Sequence, residues 1–472
     1  MARLTTSSLV EPVSLGPTAR RSLWPQEFEA SRVGMTKQLI QLRTSIILVV
    51  ATLALQSPCD AQFDIEEPPI EYSKTVDDNR VTELLTAVKS GETSLKYDRN
   101  SGYLKSLLAA LNIPVSSQVL VFSKTSMQVK FISPRSPRAI YFNDDTYVGW
   151  VQGSSLMEIS TNDPKLGAAF YTVRMSPSKP RFQRQLYNCL ACHATTMTQG
   201  VPGHTVRSVM PKPDGTMDVQ RKSYVTDHTS PLSERWGGWF VTGQQGDMDH
   251  LGNAFLRGNE LATFVQNNRP DLRHELYTDD WLTPHSDIVA LMVLEHQTQM
   301  QNTFTVANFS VRRRMYESEQ ATQRQDAVSK DELEYAIDQA AKKVVDYMLF
   351  VNEAPITSEI KSSTFETDFT ARGPTDSSGR SLRDFNLRDR LFEYPCSYLI
   401  YSPAFDSLEP RLRQAIYWQL WRVLAENVKS DEYAHLSSNS RRVILEILQT
   451  TKSGLPDYWN EDDNAKEGSQ QK

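Results

Sequence analysis

The chain has 472 residues, of which 39% are hydrophobic and 23% are charged. This balance is typical of a globular protein and excludes both a disordered polyelectrolyte and an integral membrane bundle. There are 51 Lys and Arg against 57 Asp and Glu, a net charge of −6. This acidic balance argues against nucleic acid as the main partner, because such a partner normally requires a basic surface. The length predicts about two or three domains.

Residues 1–61 have the features of a secretory signal peptide. An apolar run at 45–55 follows two basic residues, and a polar stretch ending in the small residue Ala61 comes after it. The run is well short of the ~20 residues that span a bilayer, so we expect cleavage near Ala61 rather than a retained anchor. Met35 is an alternative start. The sequence thus predicts a periplasmic or secreted protein with no stable membrane span after cleavage.

Helical spacing comes first in the predicted mature chain, at Val81–Val88 and again at Tyr103–Leu111. The period then changes to two, and turn signals separate short runs, which predicts an antiparallel sheet. The candidate strands are Val119–Phe122, Met127–Ile132, Ala139–Phe142, Thr146–Val151, Leu156–Ser160 and Ala168–Val173.

The second half of the chain is predicted to be loop-rich and then helical. Loops run from Arg181 to about Pro284, and long helices follow from Ser286 to about Gln320 and from Ser329 to about Phe350. The predicted fold class is α+β. The predicted regions are a small α plus antiparallel β unit at 75–180, a loop-rich region with long helices at 181–352, a C-terminal helical region at 353–450 and a disordered tail at 451–472.

The pentapeptide Cys189-Leu190-Ala191-Cys192-His193 matches the attachment sequence of a c-type haem. Two thiols three residues apart can bond the two vinyl groups on one edge of a porphyrin, and the adjacent histidine can then ligate the iron. The motif therefore predicts one covalent haem c in region 181–352, held by Cys189 and Cys192, with His193 as the proximal iron ligand.

Three other interpretations of the motif compete with haem. A thioredoxin-like pair would need a βαβ setting, which is not predicted here, and a structural zinc site would need two further ligands. A plain disulfide between Cys189 and Cys192 leaves His193 unexplained. The predicted export favours haem, because covalent attachment takes place outside the cytoplasm. Cys396 is interpreted as a small buried apolar residue.

The second iron ligand is predicted less directly. We expect His250, then His296, then Met248, and a five-coordinate iron with an open position is a further alternative. The identity of this ligand matters because methionine raises the reduction potential of the haem relative to histidine, whereas an open position permits catalysis. Other histidines that follow the motif include His204, His228 and His285.

The segment 233–243 contains candidate haem contacts. Arg235 is predicted to pair with a haem propionate, and Trp236 is predicted to wall the ring, as is Trp239. The alternative is a turn whose tryptophans pack in the core. Other candidates for the propionate are Arg181, Arg184 and Arg207. A further alternative is a divalent cation bound by Asp247, Asp249, His250 and Asn253.

The segments Cys189–His193, Ser233–Trp239, His250–Asn253 and Ser286–Leu291 resemble a family of large secreted bacterial proteins described as cytochrome c domain-containing. The likeness covers most of residues 100–425. It implies a single c-type haem and electron transfer. The chain departs from small cytochromes c, since its motif lies in mid-chain and no clear methionine loop follows.

The leading functional hypothesis is an exported mono-haem cytochrome that transfers one electron to or from a redox partner protein. The chain is much longer than a simple carrier requires. This length keeps two alternatives open, a haem enzyme of peroxidase or oxidase type that uses an open iron position, and a haem-based sensor or docking subunit. No catalytic residue is assigned.

Overall fold

The computed structural model describes residues 64–325, 330–362, 364–426 and 430–460. All of them fall within one unit of the chain, Gln62–Lys472. The predicted signal peptide with its alternative start, the helix start at Ser329 and the last part of the predicted tail lie outside the described residues.

Six strands form one antiparallel sheet in which each strand pairs with the next along the chain. Period-two sequence explains this meander, since successive side chains point to opposite faces and short turns join antiparallel neighbours. The strands are β1 Val119–Val121, β2 Arg138–Phe142, β3 Thr146–Trp150, β4 Leu156–Asp163, β5 Gly167–Arg174 and β6 Arg181–Arg184. The predicted antiparallel unit is confirmed.

Two details of the sheet differ from prediction. Met127–Ile132 forms turns instead of a strand, and Met127, Val129 and Phe131 on it are exposed. Strand β6 arises where a loop was expected, because Phe182 packs against the core and its backbone pairs with β5. Alternation of side chains alone does not show whether a neighbouring strand is available.

Nine α-helices occur in the described ranges, most of them in the C-terminal half. They are α1 Arg80–Ser90, α2 Leu104–Ala110, α3 Leu190–His193, α4 Ile288–Gln323, α5 Lys330–Met348, α6 Phe365–Thr370, α7 Pro403–Asp406, α8 Pro410–Leu424 and α9 Ser438–Thr451. Two-stranded ribbons pair β7 Arg207–Ser208 with β8 Tyr224–Val225, and β9 Ala254–Arg257 with β10 Glu260–Thr263. The fold is α+β.

Helices α1 and α2 cover one face of the sheet, where Leu104 and Leu107 join Tyr141 and Val148 in a buried apolar cluster. The opposite face carries residues of the other parity, such as Tyr147, and belongs to a second cluster that includes α4. The two faces are thus buried against different parts of the chain.

Helix α4 runs through the larger core. Asp287 caps it by accepting hydrogen bonds from the backbone N–H groups of Val289 and Ala290, at 2.8 and 3.3 Å. Its first seven residues, Ile288–Leu294, are all buried. Among the helices of the described ranges, none is long and apolar enough to cross a membrane.

The predicted disordered tail is partly ordered. Asp457–Asn460 forms a 3-10 turn, and Trp459 is 1% exposed within the larger core. Its ring lies edge-on to Tyr417 of α8, with centroids 6.2 Å apart. The prediction of disorder is therefore wrong for this part of 451–472.

Candidate haem site

The Cys189–His193 motif forms a single helical turn. The N–H groups of Cys192 and His193 both donate to the carbonyl of Cys189, at 3.1 and 2.9 Å. Because residues three apart in a helix share one side, the turn presents both sulfur atoms together. Neither sulfur is bonded to another cysteine, and Cys192 is exposed while Cys189 is half-buried.

The backbone of Gly203 holds His193 from behind. The N–H of Gly203 donates to the carbonyl of His193 at 2.9 Å, and its own carbonyl lies 2.9 Å from His193 Nδ1. A carbonyl only accepts, so Nδ1 carries the proton and Nε2 keeps a free lone pair. Burial lowers the pKa of His193, which favours this neutral form. Such a tether to the second nitrogen is the usual support of a metal-bound histidine.

A cavity of about 480 Å³ adjoins the motif, and Cys189, Cys192 and His193 contribute to its wall. Its volume lies within the range of ~300–1,000 Å³ that is usual for cofactor sites. The sheet supplies another wall, mainly through residues of one parity on neighbouring strands, and Ile159 and Tyr171 of the other parity also contribute. The residues of the main parity are Ile140, Tyr147, Gly149, Glu158, Ser160 and Phe170.

A half-buried ion pair lies on this wall of the cavity. Arg138 Nη2 is 2.5 Å from Glu158 Oε2, and Gly149 lies between them on β3. A Cβ at Gly149 would come within 2.7 Å of Arg138 Cζ, so glycine is needed for the guanidinium to cross the sheet. Arg138 Nε is buried and lacks a hydrogen-bond partner among the described residues, which leaves one donor for a bound anion.

The Arg138–Glu158 pair also affects the pKa of the Cys189 thiol. Burial raises the pKa of Cys189 to about 11; Glu158 adds to the increase and Arg138 opposes it. The Cys189 sulfur is therefore a neutral thiol at ordinary pH rather than a reactive thiolate. This state is unlike that of the activated cysteine in a thioredoxin-like pair.

His204 is an orphaned polar side chain in the cavity wall. It is 5% exposed and packs against Tyr147, with ring centroids 4.4 Å apart. Both of its ring nitrogens lack hydrogen-bond partners within the described ranges. Burial lowers its pKa to about 3, and His193 adds to that decrease. Buried polar groups are rarely left unpaired, so His204 fits a site whose remaining partner belongs to a bound group.

The three residues predicted as second iron ligands do not line this cavity. His296 is engaged at both nitrogens, at 2.8 Å from His228 Nδ1 and 2.8 Å from Ser397 Oγ. His250 packs edge-on to Trp236 at 5.3 Å. The sulfur of Met248 accepts a hydrogen bond from the N–H of Thr357 at 3.4 Å. Their positions give no support to the prediction.

The predicted haem contacts of the 233–243 segment lie in different parts of the structure. Arg235 is ion-paired with Glu295 at 3.1 Å, where both side chains are almost fully buried, and Trp236 is 0% exposed in the larger core. Neither lines the cavity. Trp239 does line it, as does Arg207, whose carbonyl accepts from the indole N–H of Trp239 at 2.9 Å. Trp236 thus packs in the core, as the alternative interpretation of this segment expects.

Replacing Arg235 with Met is expected to destabilise the fold by about 3–5 kcal/mol, because it leaves the Glu295 carboxyl buried without its cation. Urea unfolding of the two proteins measures the difference. The control is Arg422→Met, since Arg422 forms only an exposed pair with Glu426, which is worth about 0–1 kcal/mol. A loss for Arg235→Met no larger than that of the control would contradict the structural role.

A second iron ligand is best sought among the other lining residues. Met197 and His204 follow His193 closely in the chain. The His204 ring packs against Tyr147 and Phe170, with ring centroids 4.4 and 6.0 Å apart. Outside 188–204, the lining side chains of types known to ligate haem iron are Met127, Tyr147 and Tyr171.

Two of these three are already engaged. The hydroxyl of Tyr147 is 2.5 Å from Gln301 Oε1, and that of Tyr171 bonds to Asp77 and accepts from Asn79 at 2.9 Å. Met127 is 49% exposed at the cavity. Met127 is not among the ligands predicted from the sequence, because all of those follow the motif in the chain. No signal in the sequence marks it, since it comes 66 positions before His193.

No group of three or more His, Cys, Asp or Glu suited to a bare metal ion occurs in the described ranges. A porphyrin makes no such demand, because it supplies four ligands to its own iron. Comparisons with protein-family models, with curated proteins and with solved structures find no match to this chain.

Proposed function

We propose that this chain is an exported c-type cytochrome that holds one haem covalently and transfers single electrons. The observation that carries the proposal is the wall of the 480 Å³ cavity, which combines Cys189 and Cys192 on one helical turn with a neutral His193 tethered through Nδ1. The periplasm or the cell exterior is the proposed location, because the haem motif is preceded by a predicted signal peptide. The resemblance to secreted cytochrome c domain-containing proteins agrees with this function.

The residues divide the work of holding haem. Cys189 and Cys192 would tether it through two thioether bonds, and His193 would ligate the iron through Nε2 while Gly203 orients the imidazole. The haem propionates would be bound by Arg138, through its unused Nε donor, and by Arg207. When bound, the haem supplies an iron that cycles between Fe(III) and Fe(II).

Met127 is the proposed second ligand. It is the remaining residue of suitable type in the lining outside 188–204, and its half-exposed thioether would be covered by a bound ring. A thioether ligand raises the reduction potential relative to a second histidine. A His193–Met127 site would therefore favour a relatively oxidising carrier.

A haem enzyme is the second candidate function, and the setting of Met127 favours it. Met127 lies on turns at the surface rather than on a strand or helix, so its ligation is easier to displace than that of a core residue. Displacement would open the iron to a small molecule such as a peroxide. The two functions differ in whether the sixth position is occupied at rest.

Intact-mass measurement and optical spectra test the proposal. Protein exported by a bacterium that assembles c-type cytochromes should gain the mass of one haem, and the gain should survive denaturation. Sharp low-spin bands of the reduced protein that do not change with CO support the carrier, whereas CO binding supports the enzyme. Absence of the mass gain overturns both.

A further inference from the structure

Two long segments around the motif contain no acidic residue. Residues 99–143 and 164–213 carry 13 Lys and Arg and no Asp or Glu, although the whole chain has 57 acidic residues. At the chain average, about 11 acidic residues would be expected in stretches of this combined length. The positive residues are Arg99, Lys105, Lys124, Lys130, Arg135, Arg138, Lys165, Arg174, Lys179, Arg181, Arg184, Arg207 and Lys212.

The fold brings parts of both segments to the cavity. Lys124 and Arg138 from the first and Arg207 from the second line it directly. The N–H of Lys124 also donates to the carbonyl of Gly215 at 2.8 Å, which joins the loop after β1 to the turn that holds Lys212. We call Lys124, Lys130, Arg135, Arg207 and Lys212 the basic face.

Arg135 belongs to the same surface because Pro134 adjoins that turn. A Cβ placed on Gly215 would lie 3.6 Å from Pro134 Cδ. Arg135, Lys130 and Lys212 are exposed, and no ion pair to them is found in the described ranges. Two acidic residues accompany this turn, namely Asp214, which pairs with Lys124 at 3.4 Å, and Asp218, whose N–H donates to the carbonyl of Met210 at 2.8 Å, against five cations of the basic face. The basic face therefore keeps a net positive charge.

Strands β5 and β6 extend the positive charge along the cavity side of the sheet. Arg174 and Arg181 are directly opposite each other in the register, and both are exposed. Like charges at directly opposite positions destabilise an antiparallel pair. The Arg174–Arg181 pair therefore lowers the stability of the sheet locally, and it places two more cations on the cavity side.

An apolar centre accompanies the cations. Met127, Val129 and Phe131 are 49%, 41% and 45% exposed, and they occupy the same loop as Lys124, Lys130 and Arg135. Exposed apolar side chains within a polar, charged border are the usual anatomy of a protein–protein interface. The loop also forms one edge of the cavity through Met127.

We infer that the basic face is the docking surface for an acidic redox partner protein, which exchanges electrons at the mouth of the haem cavity. The inference rests on the proposed function. Because the chain as a whole is acidic, its other surfaces would repel such a partner, and the basic face would attract it. Charge segregation then directs the partner to the side from which the haem is reached.

The sign of the salt dependence of electron exchange tests this inference. Anionic ferricyanide and cationic tris(1,10-phenanthroline)cobalt(III), both strong enough to oxidise a thioether-ligated haem, are mixed with the reduced holoprotein at increasing NaCl. A positive local field predicts that the rate with ferricyanide falls with salt while the rate with the cobalt complex rises. The net charge of −6 predicts the opposite signs. The inference is overturned if the rate with ferricyanide rises with salt and the rate with the cationic oxidant falls.

A matched pair of triple variants locates the effect. Lys130→Glu, Arg135→Glu and Lys212→Glu together should slow ferricyanide about tenfold at low salt, within the range that electrostatic steering covers. The control combines Lys89→Glu, Lys330→Glu and Lys343→Glu, which are exposed elsewhere and give the same net charge. The control should change the rate less than twofold. Equal effects of the two triple variants would contradict the inference.

A binding measurement separates this inference from the proposed function. Fluorescein-labelled polyglutamate should bind the full chain whether or not haem is attached, and the basic-face variant should lose this binding while the control keeps it. If the chain binds polyglutamate but never acquires haem on export, the proposed function fails while the docking surface for an acidic partner stands. The inference of an acidic partner protein is overturned if phosphatidylserine vesicles bind better than polyglutamate. It is also overturned if the two triple variants bind polyglutamate equally well.

Discussion

Exported protein in which both Cys189 and Cys192 are replaced by serine is expected to retain no haem after denaturation. A serine hydroxyl cannot take the place of a thiol in the thioether bonds of a c-type haem, so only the His193–iron bond would remain. That bond is lost when the protein unfolds and the imidazole is no longer held by Gly203. Intact mass under denaturing conditions, compared with the unsubstituted protein, measures the effect.

Cys396→Ser is the matched control for this double variant. Cys396 is fully buried and burial raises the pKa of its thiol to about 12, so it is an inert apolar residue within the larger core. The control should keep the full mass gain. A double variant that still carries denaturation-resistant haem would exclude the motif as the attachment site, and both the proposed function and the role of the cavity would fail with it.

Single variants refine the same test. Cys192 is exposed and Cys189 half-buried beside the Arg138–Glu158 pair, yet each would form one of the two bonds. Cys189→Ser or Cys192→Ser alone should therefore keep haem through one thioether. The unsaturated vinyl group left on the other side shifts the optical bands of the reduced protein.

Met127→Ala is expected to open the sixth position of the iron in the holoprotein. The reduced protein should then bind CO, and the near-infrared charge-transfer band of a ferric iron–thioether bond should vanish. The potential should fall by tenths of a volt, within the ~0.8 V span that axial ligands set in haem proteins. Optical titration with CO and potentiometry measure these changes.

Two controls make this prediction specific to Met127. Met197→Ala removes a thioether from the same cavity but close to His193 in the chain, and Met248→Ala removes the methionine that the sequence predicted as a ligand after His250 and His296. Both should leave the spectrum and the potential unchanged. If Met248→Ala or a change at His250 or His296 opens the iron instead, the ligand proposed from the structure is wrong and a ligand predicted from the sequence is right.

Met127→His provides a gain of signal that loss of folding cannot imitate. A second imidazole would keep the iron six-coordinate and low-spin while lowering the potential relative to the thioether. A correctly placed sixth ligand predicts this combination. If residue 127 does not reach the iron, the His variant should behave as the unsubstituted protein does.

The sequence determined those features that depend on neighbours along the chain. The spacing of Cys189, Cys192 and His193 specifies one helical turn, because backbone bonds within five residues are enough to form it. Period-two stretches predicted most strands of the sheet, and the predicted helix from Ser286 to about Gln320 corresponds to α4. The α+β class follows from these local periods.

Only the tertiary structure decided which side chains share a space with the motif. Strand pairing carries Arg138 and Tyr147 to the cavity, whereas Arg235 is used by Glu295, 60 positions away on α4. Met127 enters the candidate site from a loop that sequence alternation predicted to be a strand. Local patterns reflect backbone repeats, but a site for a large flat cofactor is formed by contacts between distant segments, and those depend on how whole elements pack.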